Sequence, residues 1–255
     1  MTETDKASKL KGLAWVIGAV GLAVVLGSGI TPFVRAIPWS WEKGLAHSLG
    51  STTYIDACRG NEKQEALLKQ LVTRLYPLDR DDRRFSLDVQ VVNNPEINAF
   101  AELGGKISIN RGLLEKAQSP EEVAGVLAHE ITHVGHRHIL EGFVVHLMTI
   151  GGIQMVFGGS SQVKWTNFFL KMGFTRSQET EADEGGLARL QKAHINNQGF
   201  KDFFERMKDL SVVPAVLSDH PADEERSRMA ARFPTQDPKP VMTDEEWKSF
   251  KSFCQ

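Results

Sequence analysis

The residues best suited to chemistry are His129-Glu130-Ile131-Thr132-His133. On a helix, residues four apart sit about one turn apart on the same face. Both imidazoles can then reach a single tetrahedral zinc ion. Glu130, next to the first histidine, can reach a water at that metal. There it would act as general base and later return the proton to a leaving amine. That is the chemistry of peptide-bond hydrolysis. A catalytic zinc also needs a third protein ligand and an open position. Glu179-Thr180-Glu181-Ala182-Asp183 begins 46 residues past His133, and it places two carboxylates one helical turn apart, on Glu179 and Asp183. Glu179 is the candidate third ligand. Asp183 is the candidate acceptor for the N–H of a liganding histidine, taken as His129, whose tautomer it would fix. Glu181 and Glu184 read as a solvated acidic face. His136 reads as a structural histidine at a helix end. His47, His146 and His194 have no ligand spacing.

The elements that must carry these groups are legible around them. Ser119-Pro120-Glu121-Glu122 is a helix start: Ser119 caps, Pro120 suits the first helical position and Glu122 completes a capping box. Val123, Val126, Leu127, Ile131 and Val134 then mark a buried stripe. Helical patterns also cover residues 62–76, 113–117, 177–194, 200–210 and 222–232. Residues 85–92 alternate as a strand. Residues 97–103 and 106–110 flank Gly104-Gly105 as a β-hairpin. Ala182 and Gly185-Gly186 would let two helices pack closely. Residues 143–157 are apolar but short and broken by Gly151-Gly152, so they read as a buried or surface-dipping helix and not as a span. Residues 234–240 are Pro-rich and read as loose.

At the N-terminus Lys6, Lys9 and Lys11 precede an uncharged run. Residues 13–30 would form a helix roughly 27 Å long, close to the hydrocarbon thickness of a bilayer. The denser basic cluster before the run places the N-terminus in the cytoplasm and the remainder across the membrane. Trp39 and Trp41 fall where an interfacial belt would sit. A retained anchor is favoured by the length of the run and by the lack of an Ala-x-Ala site; a cleaved signal peptide, releasing the chain to the periplasm, is the alternative. Composition adds boundaries. The chain has 255 residues, 41% hydrophobic and 24% charged, with a formal charge of −2. It is neither disordered nor polytopic, and the balance leaves no electrostatic footprint for nucleic acid. Cys58 and Cys254 are too few for a disulfide framework. Beyond an export signal they could pair, or remain two free thiols.

The paired motifs resemble the HtpX, CAAX prenyl protease and BepA superfamily of zinc metallopeptidases, peptidase family M48. Asn98-Ala99-Phe100, Gly104-Gly105 and Gly112-Leu113-Leu114 are similar to that family's hairpin before the active helix. Arg176 before Glu179 fits its Arg-x-x-Glu, and His220-Pro221 with Arg226 its His-Pro…Arg element. The resemblance spans roughly residues 60–233. It implies an α+β, mainly helical gluzincin fold with a small β-sheet and one zinc ion per chain on His129, His133 and Glu179. It implies that His138 is a non-ligand. It also implies that His220 lies near the metal, stabilising an oxyanion or blocking the site at rest, with Arg226 nearby. The hairpin at Asn98, Ala99 and Phe100 would offer an edge strand to an extended substrate backbone.

The organisation expected is an anchor at 1–35, a connector at 36–61, a peptidase domain at 62–233 and a tail at 234–255. The expected protein is a zinc metalloendopeptidase held in a bacterial inner membrane by residues 13–30. Its catalytic domain would face the periplasm and act on misfolded or membrane-proximal proteins. The competing reading is a zinc-stabilised chaperone or assembly factor, against which the intact Glu130 argues.

Overall fold

The computed structural model describes residues 29–49, 57–77, 85–148, 173–208 and 228–255, with Trp15, Gly18 and Gly21 besides. Two short helices lead in: α1 (Thr31–Ala36), with Pro32 in its first turn, and α2 (Trp39–Ser48). Part of the stretch expected as a connector is therefore helical. The next helix, α3 (Glu62–Leu75), starts at a reciprocal capping box between Asn61 and Gln64 and stops before Pro77. It buries Leu67, Leu68, Leu71 and Leu75.

Strand β1 (Asp88–Val92) is shorter than the alternation at 85–92 suggests. Strands β2 (Ala99–Glu102) and β3 (Lys106–Asn110) form the expected hairpin, pairing Ala99 with Ile109 and Glu102 with Lys106. Gly104 and Gly105 both have positive φ, +80° and +84°, as a tight hairpin turn requires. Any Cβ on Gly105 would overlap the Ser86 carbonyl. The strand order is β1-β3-β2, with β1 parallel to β3, so β3 is central and buried throughout, while β2 is an edge. Helix α4 (Arg111–Lys116) follows directly.

Helix α5 (Pro120–His136) is the spine of the molecule. Ser119 Oγ accepts from the Glu122 N–H, but the expected reciprocal bond is not made. Glu122 instead accepts from the Gln118 N–H at 2.8 Å and takes a two-point ion pair from Arg206, at 2.7 and 2.6 Å. A charged tertiary partner has captured the carboxylate that a local box would have used. The predicted stripe understates the burial: every residue from Glu122 to Val134 is buried. Small residues at 124, 125 and 128 make this possible, since neighbouring helices close on sides a larger side chain would keep apart. A Cβ on Gly125 would lie 2.8 Å from the Phe200 Cβ.

The chain leaves α5 through Arg137 in the left-handed region, φ 61°. A non-glycine residue is disfavoured there. The Arg137 side chain offsets the strain by donating to the Val34 and Ile37 carbonyls and facing the Glu42 carboxylate at 3.8 Å. Helix α6 (His138–Met148) then buries Phe143, Val144 and Leu147. It covers the start of the apolar stretch expected to be helical; residues 149–157 lie outside the described residues. Helices α7 (Arg176–Lys192) and α8 (Gln198–Lys208) pack on α5. A last helix, α9 (Asp244–Lys251), was not expected. It opens with a Thr243–Glu246 capping box and packs on α3, where Gln64 Nε2 donates to the Ser249 carbonyl at 2.7 Å.

The segment 234–240 is irregular but not loose. Arg74 alone donates to the carbonyls of Ala193, His194, Lys239 and Pro240, and Lys239 N–H donates to His194 at 2.7 Å. Cys58 and Cys254 are joined as a disulfide, with Cα atoms 5.2 Å apart. Of the helix expected at 222–232, residues 228–232 are described: 228–230 are helical, and 231–232 are a turn, so the helix ends two residues early. Among the described residues no helix is long and apolar enough to cross a membrane, and the run at 13–30 falls almost wholly outside them.

Candidate metal centre

The centre is built where α5 and α7 touch. Gly185 and Gly186 allow the contact: a Cβ on Gly185 would overlap Thr132, and one on Gly186 would lie 3.1 Å from the His129 backbone nitrogen. Ala182 is fully buried in the same seam. Thr132 Oγ1 donates to the Ala128 carbonyl and accepts from Arg189 Nε at 3.2 Å, adding a polar tie between the helices.

This approach brings His129, His133 and Glu179 together. The two Nε2 atoms are 3.0 Å apart. Glu179 Oε2 is 3.6 Å from His129 Nε2, and Glu179 Oε1 is 3.4 Å from His133 Nε2. All three residues are buried. Ligands held at about 2.0–2.1 Å around a tetrahedral zinc lie about 3.3 Å from one another. Two imidazole nitrogens and a carboxylate at this spacing fit that ion, and the group can hold a metal.

Asp183 Oδ1 lies 2.8 Å from His129 Nδ1. With the Nδ1 proton donated there, the Nε2 lone pair points at the centre. His133 has a different support, absent from the sequence reading. Its Nδ1 is 2.9 Å from Nδ1 of His138, which is buried at the start of α6. Burial pushes the His138 ring down to about 4, helped by His136 and opposed by Glu181. A neutral His138 can accept the His133 proton on Nδ1 and keep its own on Nε2. The signal for this lay in the short spacing of His133, His136 and His138, but it needs the turn at Arg137 to fold His138 back.

Apolar rings enclose the site. Phe174 stacks on His133 with centroids 3.9 Å apart, and Phe200 and Phe204 lie 6.4 and 6.3 Å from His129. Glu130 is buried between the two histidines on α5. Edge strand β2 packs against α5. Ala99 and Asn98 are buried there, and Phe100 is half-buried. His220 and Arg226 lie outside the described residues.

One expectation needs correcting. Glu181, expected on a solvated acidic face, is part-exposed but carries specific partners. Its Oε2 is 3.0 Å from Arg35 Nη2, 3.0 Å from His136 Nδ1 and 3.6 Å from His138 Nε2. Burial pushes its carboxyl up, but the His136 hydrogen bond and the charges of His138 and Arg35 outweigh this and hold it below the usual range.

The family model of Peptidase family M48 matches residues 62–232, more than half of the chain. The chain belongs to Peptidase family M48. Among its relatives, mitochondrial metalloendopeptidase OMA1 of Arabidopsis thaliana is 34% identical over 58% of this chain and 31% of its own length. The beta-barrel assembly-enhancing protease of Escherichia coli K12 is 30% identical over 53% of this chain and 32% of its own. Metalloprotease LoiP of the same organism is 29% identical over 63% of this chain and 68% of its own. The chain spans about a third of the length of the first two. The M48 match covers both halves of the centre on α5 and α7. These relatives are named as metalloendopeptidase, protease and metalloprotease.

Proposed function

We propose that this M48 chain is a zinc-dependent endopeptidase that cleaves protein substrates. The convergence of His129 Nε2, His133 Nε2 and the Glu179 carboxylate on one point carries the reading. A zinc ion bound there supplies Lewis acidity toward the scissile carbonyl and makes water more acidic. Glu130 takes the proton from the attacking water and delivers it to the amine that leaves. Asp183 holds the His129 ring in its metal-binding tautomer. The edge of β2 at Asn98, Ala99 and Phe100 pairs with an extended substrate backbone, giving affinity with little sequence preference. The family resemblance assigns His220 to the developing oxyanion and Arg226 to the same element; both lie outside the described residues. Such a site suits a quality-control protease anchored by residues 13–30 and facing the periplasm, acting on misfolded or membrane-proximal proteins.

The test compares unfolded-casein cleavage by the full-length protein with that by Glu130→Gln, with zinc content measured in both. Cleavage should fall by at least roughly a hundredfold in the variant while zinc is retained. Equal activity in both, with zinc bound, would overturn the reading and leave a zinc-stabilised assembly role. For His220, a rise in cleavage in His220→Ala would instead mark a resting-state block.

A further inference from the structure

The cluster that corrects Glu181 has a geometry of its own. His136 Nδ1 and Glu181 Oε2 are 3.0 Å apart, and His138 Nε2 and Glu181 Oε2 are 3.6 Å apart. The three donor atoms all lie within 4.8 Å of one another. These spacings bracket the roughly 3.3 Å expected between ligands of one tetrahedral zinc. They match those among His129, His133 and Glu179. His138 is 1% exposed, and its Nε2 stands 3.6 Å from Glu181 Oε2, too far for a good hydrogen bond. A buried imidazole nitrogen left without a partner is costly, and a metal ion would satisfy it. His136 and Glu181 are more than a third exposed, so an ion can enter. The cation now on Glu181 is Arg35, itself half-exposed, which can swing into water at little cost.

We propose that His136, His138 and Glu181 form a second, weaker site for a zinc-class divalent cation, and that filling it opposes metal binding at His129, His133 and Glu179. The opposition follows from where protons must sit, and it rests on the reading of the first site as a zinc centre. A metal on His138 Nε2 forces the His138 proton onto Nδ1. A metal on His133 Nε2 forces the His133 proton onto Nδ1. Those two Nδ1 atoms face each other at 2.9 Å. With the first site alone filled, His133 donates and His138 accepts. With both filled, two N–H groups meet and neither has an acceptor, so the contact must break and a buried donor is stranded. By linkage, each ion weakens the other by the same factor. Loss of that contact releases the His133 ring that the 2.9 Å pairing holds. The doubly loaded protein then keeps its first ion on a poorly oriented ligand, and the second site acts as a brake on the peptidase when zinc is in excess.

The experiment titrates Zn²⁺ into chelator-stripped full-length protein by calorimetry and follows casein cleavage along the same titration. The wild type should show a tight event and then a weaker one, with cleavage rising through the first and falling at least roughly fivefold through the second. His136→Ala and the more conservative Glu181→Gln should lose the weaker event and the fall while keeping the cleavage reached at the first. His129→Ala should lose the tight event and keep the weaker one. A wild type with a single event, or a second event unchanged in His136→Ala and Glu181→Gln, would overturn the site. A second event lost in those variants but with no fall in cleavage would overturn the antagonism. If the wild type lacks the tight event while the His136-dependent one remains, the failure belongs to the first site.

Discussion

Asp183 and Glu42 are two buried carboxylates whose surroundings put them to opposite uses. Asp183 sits 2.8 Å from His129 Nδ1, where its charge fixes a ring that points at the metal. Asp183→Asn should therefore weaken zinc binding by about 10–100-fold, since partners of liganding histidines typically carry that much affinity. A chelator competition assay on stripped protein reads this directly. For Glu42 the surroundings act on the carboxyl's own proton. Burial raises its carboxyl from 4.5 to about 7, against the Gly104 N–H at 3.1 Å and the Arg137 charge, which both lower it. Between those two values the folded protein keeps a proton that the unfolded chain has released. The associated stability is present below 4.5 and is lost as the pH rises through 7. Glu42→Gln keeps the shape without the titration. It should match wild type near pH 4.5 and be more stable at about pH 8, measured by urea unfolding at both. A variant less stable at the higher pH would mean that the Arg137 pairing outweighs the burial.

At the scale of elements, the site depends on the distance between α5 and α7. The histidines and Glu179 come from different helices, so a small separation of the two opens the ligand set. Gly185 lies at the closest point, against Thr132. Gly185→Ala inserts a methyl group where none fits and should destabilise the fold by about 1–3 kcal/mol. It should also lower zinc affinity, because α7 carries Glu179 and Asp183 together. Thermal unfolding with and without zinc separates the effects: the stabilisation by zinc should shrink in the variant. Sequence spacing identifies both helices and the glycine pair in the seam. It overlooks the depth of α5, because a stripe-based reading assumes one face for solvent. Here α7, α8, α3 and the sheet between them leave no such face over residues 122–134.

Across the whole molecule, the C-terminal segment is stitched back onto the catalytic body. Arg74 saturates four carbonyls from two segments, α9 packs on α3, and the disulfide closes a loop with a sequence separation of 196. Cross-links over loops of this length stabilise by up to about 5 kcal/mol in the chain-entropy account. Replacing both cysteines by serine should lower the urea midpoint, by an amount corresponding to about 2–5 kcal/mol, and reductant should lower the wild type in the same way. Reductant should leave the double variant unchanged. These ties explain why a Pro-rich stretch with no periodicity is nevertheless held. Its order comes from Arg74 on a distant helix and from bonds to Gln191, His194 and Ile195 at and just past the end of α7, which no local pattern reports.

The amino-acid sequence by itself determined the two helices of the centre, the Ser119 cap of the first, the hairpin and the candidate metal-binding group. These depend on spacing within a turn or a strand, which is local and periodic. It also carried the His129–Asp183 pairing, because i,i+4 spacing on two helices leaves few ways to match them. The tertiary structure decided what depends on distant segments meeting. It gave Glu122 the Arg206 guanidinium and the Gln118 N–H in place of the Ser119 N–H, and it joined Cys58 to Cys254. By turning the chain at Arg137 it put His138 behind His133 and moved Glu181 from a presumed solvent face into a cluster with two histidines. A side chain's role there is set by which neighbours share its desolvated volume, and sequence spacing holds no record of that.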